Sequence, residues 1–128
     1  MVRVLDPGPL PLADHPEAPS REFAVWLDEY GGVPFRRVEL GLDELTAARD
    51  SAIGDFAEYP SPPSEWARVR RLSKRYVTGR PVHPIVVYKD AQLGWRVLDG
   101  CHRLCAAHLA GLSAIEAWEA LSEPLLNR

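Results

Sequence analysis

Alternation of apolar and polar side chains marks four extended segments in this chain, and apolar recurrence every three to four residues marks three helices. Phe35 to Leu40 reads as a strand with Val38 and Leu40 inward and Arg37 and Glu39 outward. Val82 to Tyr88 is a second, with Pro84 near its start, where a missing N–H is tolerated. Lys89 to Gly94 reads as a hairpin loop, which sets the short run Trp95 to Leu98 antiparallel to that strand. Ser113 to Trp118 returns as the fourth, and the strand, helix, strand unit beginning at Trp95 predicts a parallel pair with a right-handed crossover.

The helices carry their own punctuation. Ser20 caps a first one, with Phe23, Trp26, Leu27 and Tyr30 on one stripe and Gly31, Gly32 and Pro34 ending it. Ser64 opens a second, whose buried side is Trp66, Val69, Leu72, Tyr76 and Val77 and which stops at Gly79 and Pro81. The third follows Trp95 to Leu98: Asp99 serves as N-cap, Gly100 makes the bend, Leu104, Ala107 and Leu109 form the stripe, and Gly111 takes the left-handed C-cap position. Between these, Gly41 to Leu45 is a turn leading into a short helical piece. Ser51 to Pro63, with Gly54, Pro60 and Pro62, reads as a linker long enough for a lid or a surface loop. Residues 119–128 read as a short tail or last helical turn.

These elements predict an α+β domain, a small mixed β-sheet with helices packed on it, over residues 21–128. Residues 1–20 hold five prolines and read as a Pro-rich N-terminal arm, ordered where it lies on the body or on a partner. At 128 residues a single domain buries roughly two-thirds of its unfolded surface. A net charge of −3 gives no general case for nucleic acid. No apolar run is long enough for a membrane span, and the start lacks a basic segment followed by an apolar core. Two cysteines four apart on one helix cannot form an ordinary disulfide staple, so the reading is cytoplasmic.

The charge is unevenly spread. Arg68, Arg70, Arg71, Lys74 and Arg75 are five of the fifteen cationic residues and fall on one helix. Either they form a solvated basic face or some of them meet an anion. The second prospect gains from the strand–glycine–helix corner at 97–111. A helix start offers free N–H groups and the positive end of its dipole, and His102 and Arg103 stand beside it. The plain reading of the same corner is a turn with one polar and one packed side.

Asp-Gly-Cys-His-Arg at 99–103, followed by Ala106-Ala107, Gly111-Leu112 and Ile115, resembles the signature segment of the ParB/sulfiredoxin superfamily. Sulfiredoxins carry Gly-Gly-Cys-His-Arg there, so Gly100 to Arg103 match and Asp99 departs. The free-serine kinases of that fold carry Asp-Gly-His-His-Arg, so Asp99 matches and Cys101 departs. Upstream, the likeness runs through Pro84 to Val87 back to the strand around Val38. The resemblance implies ATP or CTP with Mg²⁺, bound along Asp99, Gly100, Cys101, His102 and Arg103, with Arg68 and Arg71 at positions where sulfiredoxins contact phosphate. It also implies phosphoryl transfer to a small-molecule or protein acceptor, or hydrolysis. The kinases place a catalytic glutamate beyond the first strand; Arg49 or Asp50 falls there, and only Asp50 can act as a base.

Three other chemistries compete for the same helix. Cys101, Cys105 and His108 share one face beside His102, but a complete metal site drawn from one helix is strained and would need His15 or His83 by chance placement, so no metal is expected and Cys105 reads as a small core residue. Cys101 at a helix start next to His102 and Arg103 should have its thiolate favoured, as a sulfiredoxin-like sulfinic acid reductase requires. Finally, a ParB-like reading makes the domain a non-catalytic nucleotide-sensing module associated with DNA.

Overall fold

The computed structural model describes residues 2–6, 34–58 and 62–121. The chain is α+β. Among the described residues five strands form one mixed sheet: β1 (Val2–Asp6), β2 (Phe35–Gly41), β3 (Ile85–Asp90), β4 (Gly94–Asp99) and β5 (Ala114–Ala120), in the order β1-β2-β5-β3-β4. Three α-helices accompany it among those residues: α1 (Thr46–Glu58), α2 (Pro62–Val77) and α3 (Cys101–Leu109). No helix among the described residues is long and apolar enough to cross a membrane.

The sheet has two apolar faces. Val38, Leu40, Ile85, Val87, Trp95, Ile115 and Ala117 meet Leu104 and Ala107 of α3, and this is the main core. Phe35, Val86, Trp118 and Ala120 form a second cluster from the opposite parity of the same strands. A third cluster lies among the helices, where Ala52 and Phe56 of α1 meet Val69 of α2 and Cys105 and Ala106 of α3. Full burial of large apolar side chains stabilises by about 1.5–3 kcal/mol each, and the first and third clusters hold α1, α2 and α3 in place.

Several expectations change. The Pro-rich arm includes a strand: Val2–Asp6 pairs antiparallel with β2 at the sheet edge, lying on the body. The predicted helix over 20–30 falls outside the described residues. The predicted linker is mostly helix, because α1 runs from Thr46 to Glu58. Its inward residues Ala48, Ala52 and Phe56 recur every four positions, but two are alanines and give little apolar signal. The hairpin joining β3 to β4 is as predicted. The strand after α3 differs: β5 pairs in parallel with β3 and antiparallel with β2, and it is not a neighbour of β4. Its last residues, Glu119 and Ala120, are strand and not tail. Val77 and Leu109, both assigned to buried stripes, are 68% and 61% exposed.

Candidate functional site

The turn between β4 and α3 is built around Gly100. Its φ is 106°, which side chains rarely adopt. A Cβ there would sit 2.6 Å from Ile85 Cγ2 and 2.9 Å from Arg103 Nη2. The glycine is therefore required by packing behind the turn. Gly100, not Asp99, is the cap residue: its carbonyl accepts Leu104 N–H at 2.9 Å, and no side chain caps the helix. At the other end Leu112 N–H reaches Ala107 C=O and Gly111 N–H reaches His108 C=O, the paired bonds of a glycine C-cap.

Arg103 turns inward. Its Nη1 donates to the carbonyls of His83 at 2.9 Å and Pro84 at 2.7 Å, and Nη2 donates to Asp99 Oδ2 at 2.6 Å. Only 7% of the residue is exposed. The arginine thus ties the start of β3 to the end of β4, and its donors are largely committed to the protein.

Facing the turn is a cavity of about 500 Å³, walled on one side by Arg68, Arg71 and Arg75 of α2 and on the other by Asp99, Gly100 and His102. Arg75 is held by the Pro81 carbonyl at 2.8 Å. Arg68 and Arg71 are exposed and engage no hydrogen-bond or ion-pair partner among the described residues. Arg70 and Lys74 do not line this cavity; they lie beside exposed Val77 on another flank of α2, with Arg71 between the two surfaces. The basic helix therefore splits its cations, and the face carrying Arg68 and Arg71 is the one turned to the signature turn.

His102 is held from two sides. Its ring stacks on Phe56 at 4.6 Å and 23° between planes, and Phe56 meets Trp66 edge-on at 5.8 Å. Its Nε2 bonds the Glu65 carboxylate, so α1, α2 and α3 all converge on one imidazole. Glu65 has no sequence signature beyond its place in the first turn of a helix, and local pattern gives no reason to select it.

Cys101 points elsewhere. It lines a separate cleft of about 340 Å³ with Ser51 and Asp55 of α1 and Trp95 and Arg96 of β4. Burial, then the nearby Asp55 and Asp99 carboxylates, push its thiol up, and Arg103 offsets this only in part. The expected thiolate at the helix start is thus not favoured, because desolvation and two anions outweigh the dipole and the arginine. Cys105 is buried among the helices and pushed up to about 11 by desolvation. Among the described residues no three His, Cys, Asp or Glu side chains converge as a metal site.

Asp50 is also apart from the cavity. It is exposed on α1 and its carboxylate pairs with Arg49 at 3.2 Å, while Arg49 reaches His108 Nδ1 at 3.2 Å. A base at Asp50 would therefore act on nothing held between Arg68, Arg71 and the turn. The structure brings together Arg68, Arg71, Asp99, Gly100, His102 and Arg103, and leaves out Cys101 and Asp50. No protein-family model matches the chain, and no curated protein matches it.

Proposed function

We propose that this domain binds a nucleoside triphosphate in the cavity between α2 and the first turn of α3 and transfers or hydrolyses its terminal phosphoryl group. The observation that carries the reading is the pair Arg68 and Arg71, two guanidiniums with no partner among the described residues, facing a helix N-terminus across a cavity of about 500 Å³. Such groups form charge-assisted, bidentate bonds with phosphate oxygens, and the helix start adds N–H donors and dipole. The resemblance of 99–103 to the ParB/sulfiredoxin segment supports the same ligand, ATP or CTP. Mg²⁺ would arrive on the triphosphate and supply charge neutralisation there.

In this reading Gly100 and His102 present the turn to the phosphates, Asp99 and Arg103 hold the turn in shape, and Arg68 and Arg71 stabilise charge developing on the transferred group. The cysteine-dependent sulfinic acid reductase is the weaker reading, since Cys101 lines the other cleft and its thiol is pushed up, first by burial, instead of being lowered. Both cysteines are free thiols, which agrees with a cytoplasmic setting.

Calorimetric titration with Mg-ATP and Mg-CTP tests the proposal. Arg68→Ala and Arg71→Ala should each weaken binding about tenfold or more, whereas Arg70→Ala should change it little. Duplex DNA would instead lose affinity in similar steps at all three positions and fall steeply with salt. Uniform losses on DNA with unchanged nucleotide affinity would make this a DNA-associated module and remove the enzyme.

A further inference from the structure

Glu65, Phe56 and His102 form an arrangement with a further consequence for the imidazole. The two ring nitrogens point away from each other, so with Nε2 of His102 occupied by the Glu65 carboxylate only Nδ1 is left to meet a ligand. An ionised carboxylate only accepts, so Nε2 carries the hydrogen and a neutral ring leaves Nδ1 as a bare acceptor. Nδ1 has no hydrogen-bond partner among the described residues, and it is not sealed in the interior. The ring cannot swing away, because Phe56 stacks on it and the side chain is 19% exposed. His102 lines the same cavity as Arg68 and Arg71.

We propose that His102 is the proton acceptor of the reaction and that Glu65 is its positioning residue, fixing the tautomer and the ring plane. The inference rests on the triphosphate reading above. The attacking group is water. Its O–H bond breaks and the proton passes to Nδ1 as the oxygen forms a bond to the terminal phosphorus. The bridging P–O bond breaks, and its electron pair leaves with the nucleoside diphosphate, whose charge Arg68 and Arg71 face. The other charged groups of this cavity are Arg68, Arg71 and Arg75 on α2, Asp99 and Arg103 at the turn, and His83 before β3. On α1, Asp55 acts on the neighbouring Cys101 thiol.

Nitrogen-15 NMR of the histidines at about pH 8, where an ordinary imidazole is neutral, reads the tautomer directly. Nε2 of His102 should carry the proton and Nδ1 should not. Glu65→Ala should restore a population protonated at Nδ1, and Glu65→Gln, whose amide oxygen still accepts, should keep the wild-type tautomer. Phosphate release from Mg-ATP should fall about 100-fold in His102→Gln. It should fall in Glu65→Ala and recover largely in Glu65→Gln. A proton on Nδ1 in the wild type would overturn the proposal, as would binding of Mg-ATP with no phosphate release. So would a loss of nucleotide affinity in Glu65→Ala matching the loss of turnover, which would make the pair a phosphate clamp. Failure to bind either Mg-ATP or Mg-CTP removes the triphosphate reading and this proposal together; the other outcomes remove this proposal alone.

Discussion

Arg103 and Asp99, four residues apart across the Gly100 turn, are joined at 2.6 Å between Nη2 and Oδ2, in a pair whose side chains are only 9% and 15% exposed. The sequence suggested an arginine aimed at a ligand and an aspartate capping a helix. They hold each other instead, and Arg103 spends two further bonds on the His83 and Pro84 carbonyls. Tyr76 feels the same cation: burial raises its phenol to about 12, and Arg103 opposes that rise.

Arg103→Ala should therefore cost about 2–4 kcal/mol of stability, because it uncovers a largely buried carboxylate and two backbone acceptors. Arg103→Lys should recover little of it, since an ammonium cannot reproduce the forked geometry. Urea denaturation measures both. A variant of unchanged stability that had lost only nucleotide binding would put the guanidinium in the cavity after all.

The two glycines of the helical layer should respond with opposite signs. Gly100→Ala meets Ile85 at 2.6 Å in a left-handed conformation and should destabilise by about 2–4 kcal/mol. Gly54 sits inside α1, and a methyl group added there would have nothing within 4 Å, so Gly54→Ala should stabilise by about 0.5–1 kcal/mol. Midpoints from the same denaturation series decide it, and equal responses at the two sites would contradict the structure.

Thiol reactivity separates the two views of Cys101. With its thiol pushed up, Cys101 should alkylate more slowly than free glutathione at neutral pH, and Cys105, near 11 and buried, should react only as the chain unfolds. Timed iodoacetamide labelling with peptide mapping gives both rates. Labelling of Cys101 faster than glutathione would restore it as a nucleophile.

His108 supplies a pH dependence. Burial first, then the Arg49 cation, lower its proton affinity in the folded state, with Asp50 opposing. The unfolded chain then binds more protons in the window from the ordinary imidazole value of about 6.5 down to the lowered one. Stability is complete above that window and falls as pH drops through it. Denaturation at a series of pH values should show this loss in the wild type and a smaller one in His108→Gln.

What could be read from the sequence was what the chain declares locally. The segment from Asp99 to Gly111 is punctuated by two glycines and shows its turn, helix and C-cap without reference to the rest of the fold. The basic helix was legible for the same reason, including the shared face of Arg68 and Arg71. The failures are non-local or weakly marked. Helix α1 buries small alanines, and its Gly54 and the nearby prolines imitate a linker. The Glu65–His102 bond spans 37 residues and leaves no periodicity to detect. At Cys101 the local dipole argument had the right sign for one contribution, but Asp55 arrives from another helix and joins burial on the opposite side.

Strand β5 lies between β2 and β3 although it comes after both in the chain. Until residues 114–120 emerge from the ribosome, β1 with β2 and β3 with β4 are two separate hydrogen-bonded ribbons sharing no backbone bond. Two-stranded ribbons are at best marginal in water. Closure of the sheet must therefore wait for the last strand, and the long-range pairing it requires sets a high entropic threshold. Folding during synthesis should accordingly be abrupt, with the Arg103 clasp and the cavity it supports appearing in a single step as β5 slots into place.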